Sequence, residues 1–107
     1  TIGIFGSNQV AAEGVLTANG NLGVLGSDAE TTILAAGFDA GSTIKAAIAD
    51  GTMFGAVTQS PLAMGIKTVD VLTQIANGET VEDMPTDGYW YNAENMDSDE
   101  IAPNLYD

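Results

Sequence analysis

Thr32-Ile33-Leu34-Ala35-Ala36-Gly37-Phe38-Asp39-Ala40-Gly41-Ser42 begins as a short apolar run, ends in one carboxylate and turns through Gly41 into a helical pattern. Residues 33–38 read as a buried strand, because a short continuous apolar run bounded by turn residues suits a sheet covered on both faces. Asp39 then stands at the carboxyl end of that strand. In open parallel α/β sheets, ligands bind beyond that end. Two other apolar runs finish in a polar tip. Residues 1–5 lead through Gly6-Ser7 to Asn8, and residues 53–58 lead to Gln59.

Between these runs the period changes from strand to helix. Ser7 or Asn8 suits an N-cap, because both side chains accept from free backbone N–H groups. The helix after them spans residues 9–18, with Val10, Ala11, Val15 and Ala18 at helical spacing and Asn19-Gly20 as its stop. Residues 21–30 show no regular period. Their glycines, Gly20, Gly23 and Gly26, do not match the dinucleotide fingerprint, and no strand leads into them. Ser42 is expected to cap a helix over residues 43–50 that buries Ile44, Ala47 and Ile48, and Asp50-Gly51 ends it. Ser60-Pro61 opens the longest helix, over residues 61–77, with Pro at the first position, where its missing N–H does no harm. Leu62, Ile66, Val69, Leu72 and Ala76 form its expected buried stripe, and Asn77-Gly78 closes it. Residues 79–84 are an acidic connector, and residues 86–91, with Tyr89, Trp90 and Tyr91, read as a last strand. An acidic tail with one helical turn after Ser98 completes the chain.

The order is β-α-β-α-β-α-β. It predicts an α/β fold, a parallel Rossmann-like sheet flanked by helices, with right-handed crossovers. Such a sheet sets Asn8, Asp39 and Gln59 along one edge.

Composition narrows what that edge can do. The 107 residues suffice for one small domain, and 45% of them are apolar, too many for a disordered chain. No apolar run reaches the roughly 18 to 20 residues of a membrane span. The chain opens in a strand-like run, with no basic leader and no initial Met, which is expected of a piece of a longer protein. With neither Cys nor His, thiol nucleophiles, disulfides, imidazole bases and the common zinc sites are excluded. Lys45 and Lys67 face 15 carboxylates, giving a net charge of −13. Nucleic acid and anionic membranes are poor partners for such a chain. Nine of the acids fall in residues 79–107, which hold no base and read as a solvated acidic face. Asn95, Asp97 and Asp99 alternate as in a calcium loop, but the central Gly and the distal Glu are missing, so no metal site is assigned. No carboxylate pair stands at the strand ends, so no enzyme activity is expected, and no cofactor.

Asp39 accepts hydrogen bonds, while Asn8 and Gln59 each offer one carbonyl and one amide. Adjacent sugar hydroxyls both donate and accept, so they match this set. Each residue also has a plainer use as a helix cap or turn residue. Asn8 suits that use well, Gln59 poorly, and Asp39 lies between, because Ser42 can cap in its place.

The ordered motifs Ile4-Phe5-Gly6-Ser7-Asn8, Ala36-Gly37-Phe38-Asp39-Ala40, Ala49-Asp50-Gly51-Thr52, Ala56-Val57-Thr58-Gln59-Ser60-Pro61 with Met64-Gly65, Asn77-Gly78-Glu79 and Glu94-Asn95-Met96-Asp97 cover nearly the whole chain. In this the chain resembles the C-terminal third of the type I periplasmic sugar-binding proteins, the ribose-binding-protein-like substrate-binding subunits of ABC transporters. The resemblance implies a two-lobe, non-enzymatic solute-binding protein that holds a small sugar, a monosaccharide, in an interlobe cleft. It implies that Asn8, Asp39 and Gln59 bind the sugar, and that ABC permease subunits are the membrane partners. It further implies an extracytoplasmic location, in the periplasm or anchored at the cell surface as a lipoprotein. Residues 1–59 and 86–107 would belong to the C-terminal lobe, and the helix within residues 60–85 would pack on the N-terminal lobe. Gln9 departs from the Asp that often follows the Asn tip, and the interval from Asn8 to Asp39 is several residues longer than usual. The effector-binding core of LacI-type transcription regulators shares this fold. Such regulators are expected to carry Pro-Leu-Thr-Thr before the Gln tip, where this chain has Gly51-Thr52-Met53-Phe54-Gly55-Ala56-Val57-Thr58.

Overall fold

The computed structural model of the chain describes residues 2–106. Strands β1 (Gly3–Phe5), β2 (Leu34–Phe38), β3 (Gly55–Thr58) and β4 (Tyr89–Tyr91) form one sheet in sequential order. Helices α1 (Gln9–Leu22), α2 (Ser42–Ala49) and α3 (Pro61–Ala76) separate them, and a 3-10 turn covers Ala102–Asn104. The expected alternation of strands and helices is therefore present. Residue 1, part of the expected first strand, and residue 107 of the tail lie outside the described residues.

The first two pairings are parallel and the third is antiparallel. The α/β sheet is thus mostly parallel, in keeping with the expected class, and only β4 departs from the expected direction; α3 supplies the reason. It does not fold back across the sheet as a crossover helix does. The connector after it runs back beside it, and Lys67 Nζ donates to the Pro85 carbonyl at 2.7 Å. The chain thus re-enters the sheet from the end at which β3 left.

One face of the sheet is covered. Ala12 of α1 and Ile44, Ala47 and Ile48 of α2 form the core with Ala35, Met53, Ala56, Tyr91 and Ile101. Close approach depends on Gly6, where a Cβ would lie 2.5 Å from the Ala12 backbone. The other face is bare: Phe5 is 57% and Trp90 40% exposed, with Phe54 beside Trp90 at a ring separation of 5.8 Å.

The helix ends differ in detail from the sequence reading. Helix α1 runs past Asn19-Gly20 to Leu22, and Gly23 takes the left-handed conformation at φ 62°. Asn19 still serves the terminus, because its Oδ1 accepts from the Val24 and Leu25 N–H groups. Beyond it, an isolated parallel bridge joins Leu25 to Ile33, so the irregular segment grazes the sheet. Ser42 is the first residue of α2 rather than its cap. Gly41 occupies the cap position, and no side chain bonds there.

Helix α3 is the least covered of the three α-helices. Its apolar stripe is exposed: Leu62 61%, Ile66 56%, Val69 63% and Leu72 60%. No residue of the helix is buried. The helix stands out as an arm, which stretches the molecule to 58 × 25 × 21 Å. The radius of gyration is 17.1 Å, against about 13 Å for a compact chain of this length. Among the described residues, no helix is long and apolar enough to cross a membrane.

Candidate functional site

The three strand tips stand at one edge, and Asp39 links Gln59 to the residue that follows Asn8. Its Oδ2 accepts from the backbone N–H of Gln9, the first residue of α1, at 3.2 Å. Its Oδ1 accepts from Gln59 Nε2 at 2.9 Å. Asn8 caps α1, with its Oδ1 accepting from the Ala11 N–H at 2.8 Å. A negative charge at a helix N-terminus is favourable, because unpaired N–H groups point there. One carboxylate therefore ties the end of β2 to the start of the helix after β1 and to the side chain after β3.

The backbone around Asp39 is held in an uncommon shape. Its φ is 74°, and it is the one positive-φ residue other than glycine among those described. Asp tolerates this region better than most residues. The Asp39 N–H donates to the Val57 carbonyl at 2.7 Å, and its carbonyl accepts from the Tyr91 hydroxyl at 2.7 Å. Tyr91 is fully buried. Burial first, then the neighbouring Tyr106 and Asp39, push its phenol well above the usual range. Burial and a hydrogen bond to Asp39 likewise raise the Tyr106 phenol. Both tyrosines thus stay neutral donors.

The tail also braces β3. Thr58 Oγ1 donates to the Asn104 carbonyl at 2.9 Å, and Ser60 Oγ donates to Asn104 Oδ1 at 2.8 Å. These contacts fix the point where the chain leaves the sheet for α3.

The sequence reading selected Asn8, Asp39 and Gln59, and the fold gathers all three. Two plainer uses are present as well: Asn8 is the cap of α1, and Asp39 accepts from the first N–H of that same helix, while neither Asp39 nor Ser42 caps α2. Sequence reasoning missed Tyr91, Tyr106 and Asn104 as supports. Their roles depend on the antiparallel strand and the returning tail, which no local pattern encodes. Gln9 turns aside, with its Nε2 donating to Glu13 Oε1 at 3.0 Å over Gly41. The phosphate-loop and calcium-loop resemblances gain no support: Gly20 is helical, and no metal-ligating cluster occurs among the described residues. Grooves of about 290 and 480 Å³ lie along α3, the first between Lys67, Val71 and Leu72 and the connector residues Met84 and Thr86, the second over Leu62, Ile66 and Val69. They reflect bare packing surface and hold no convergent polar groups.

No family model matches the chain, and no curated protein matches it. Solved structures do. One, an ABC transporter, LacI family transcriptional regulator from Brachyspira murdochii, aligns over 100% of this chain with a TM-score of 0.86 and 32% identity. The chain has the type I periplasmic-binding-protein fold. It resembles ABC sugar-binding proteins of that fold along its whole length. An ABC transporter solute-binding protein from Agrobacterium vitis, with bound D-fucose, aligns over 97% of the chain with a TM-score of 0.84 and 32% identity. A carbohydrate transporter solute-binding protein from Agrobacterium radiobacter, in complex with D-arabinose, shares the fold at a TM-score of 0.81 and 24% identity. This chain spans 36%, 34% and 34% of those three proteins, about a third of their length.

Proposed function

We propose that the chain is the C-terminal third of a solute-binding protein of an ABC importer, which captures a small neutral sugar between two lobes. The observation that carries this reading is the convergence on Asp39 of the Gln9 N–H and the Gln59 amide, beside Asn8. Asn8, Asp39 and Gln59 would hydrogen-bond the sugar hydroxyls from one side of the cleft. Binding needs no covalent step, and the reading includes no catalysis and no cofactor. No base stands among the three tips and Asp39 would repel an anion, which favours a neutral ligand.

In this reading residues 1–59 and 86–107 form the C-terminal lobe, and residues 60–85 reach the N-terminal lobe. The bare stripe of α3 supports that division, because an apolar face this exposed marks an interaction surface. ABC permease subunits are the protein partners, nucleic acid is not one, and the protein works outside the cytoplasm. A LacI-type effector-binding core is the second reading, kept because one similar structure carries both descriptions. The residues Ala56-Val57-Thr58 before Gln59 favour the transport reading.

Calorimetry of the two-lobe protein against neutral monosaccharides, D-fucose and D-arabinose among them, tests the proposal. Binding by the whole protein and none by the isolated chain is expected. Equal affinity of the isolated chain for a sugar would overturn the two-lobe reading.

A further inference from the structure

The hydrogen bonds already made at the tips leave the site with a fixed polarity. An amide side chain looks symmetrical, and its partners decide which end faces where. Gln59 turns its Nε2 to Asp39 Oδ1 at 2.9 Å. It cannot turn its carbonyl there instead, since a carboxylate only accepts. Its Oε1 bonds to nothing among the described residues. Asn8 is set the opposite way. Its Oδ1 must accept from the Ala11 N–H, and its Nδ2 donors bond to nothing among the described residues.

We infer that Asp39, besides touching the ligand, is the positioning residue that locks Gln59 as a hydrogen-bond acceptor, so that the site reads one ligand hydroxyl as a donor. Asn8 supplies the complementary donor through Nδ2. A hydroxyl at Gln59 gives its proton to Oε1, and a neighbouring oxygen receives one from Asn8. A ligand with an ether or methoxy oxygen at the Gln59 position leaves Oε1 unpaired. This deepens the sugar-binding reading and rests on it. The geometry that enforces it is local: Asp39 has both oxygens engaged, one by a main-chain N–H that cannot change sign.

An exchange of the two side-chain functions tests this in the two-lobe protein, with D-fucose, D-arabinose and the other monosaccharides of the panel as probes. Gln59→Glu sets two carboxylates against each other. Its affinity at pH 8 should fall roughly 10- to 100-fold. It should recover part of that loss at pH 5, where a shared proton replaces the missing N–H. In Asp39→Asn, one donor meets another unless Gln59 rotates and presents its amide to the ligand, so affinity should also fall. Combining Asp39→Asn with Gln59→Glu restores the pairing between the two side chains and with the Gln9 N–H, though not the acceptor that Asp39 offers to Tyr106 and to the ligand. The new amide donates to the new carboxylate, its carbonyl accepts from the Gln9 N–H, and an acceptor still faces the ligand. The double variant should therefore bind at least about tenfold tighter than Gln59→Glu alone at pH 8, the coupling expected of residues in contact.

A role confined to folding would move thermal unfolding in step with affinity, so unfolding of each variant is followed beside binding. Positioning predicts that the affinity loss and its rescue occur in variants that remain folded at both pH values. If the unaltered protein binds sugar and the double variant is no better than the weaker single one, the polarity assignment is wrong and the sugar reading stands. If the unaltered protein binds no neutral sugar, both fall together.

Discussion

Helices α2 and α3 carry the same kind of amphipathic pattern and meet opposite ends. On α2, Ile44 and Ile48 are 0% and 2% exposed. On α3, every member of the stripe from Leu62 to Leu72 is more than half exposed. Periodicity shows that a helix has a face to bury, and it is silent about what covers that face. For α2 the cover is the sheet, a few residues away in sequence. For α3 the chain offers no cover among the described residues. The bare second face of the sheet, with Phe5, Phe54 and Trp90, belongs with α3 in this respect.

Three substitutions probe this contrast. Ile44→Ala removes a fully buried side chain from the core and should cost about 2–5 kcal/mol in urea unfolding of the chain. A change below half a unit would mean that α2 is not packed as described.

Tyr91→Phe should cost about 1–2 kcal/mol, because it leaves the Asp39 carbonyl without its donor. It also carries a pH signature. The folded state raises the Tyr91 phenol above its ordinary 10.0. The folded chain therefore holds this proton more tightly than the unfolded chain does. The stability it contributes is complete below pH 10 and is lost as the pH climbs beyond that value. Stability measured from pH 9 to 11 should fall less steeply in Tyr91→Phe than in the unaltered chain. Identical slopes would mean that the Tyr91 phenol is not buried as described.

Leu72→Ala gives the smallest effect and the sharpest contrast. In the isolated chain it should change stability by no more than about 0.5 kcal/mol, as surface substitutions do. In the two-lobe protein the same change should cost about 2 kcal/mol or more, as loss of a buried leucine does. Equal, small costs in both would leave the arm without a partner.

The contrast also explains what could be read from sequence. Asn8, Asp39 and Gln59 were legible because each follows a short apolar run, and strand order alone sets such tips on one edge. The α/β class was legible for the same reason. The direction of β4 was not, because it depends on α3 failing to return across the sheet, a matter of absent packing rather than of local pattern. The left-handed Asp39 and its braces were not legible either. Tyr91 lies 52 residues from Asp39, and Asn104 lies 44 from Ser60. Ser42 read as a cap on composition alone, yet Gly41 holds that position and the helix begins one residue earlier.

The central claim is that one carboxylate organises a sugar-binding edge. Calorimetric titration of the two-lobe protein with the monosaccharide it binds tightest, before and after Asp39→Ala, tests it most directly. The account predicts that binding is lost while the folded signal is retained. Unchanged affinity in Asp39→Ala would contradict it and remove Asp39 from the site.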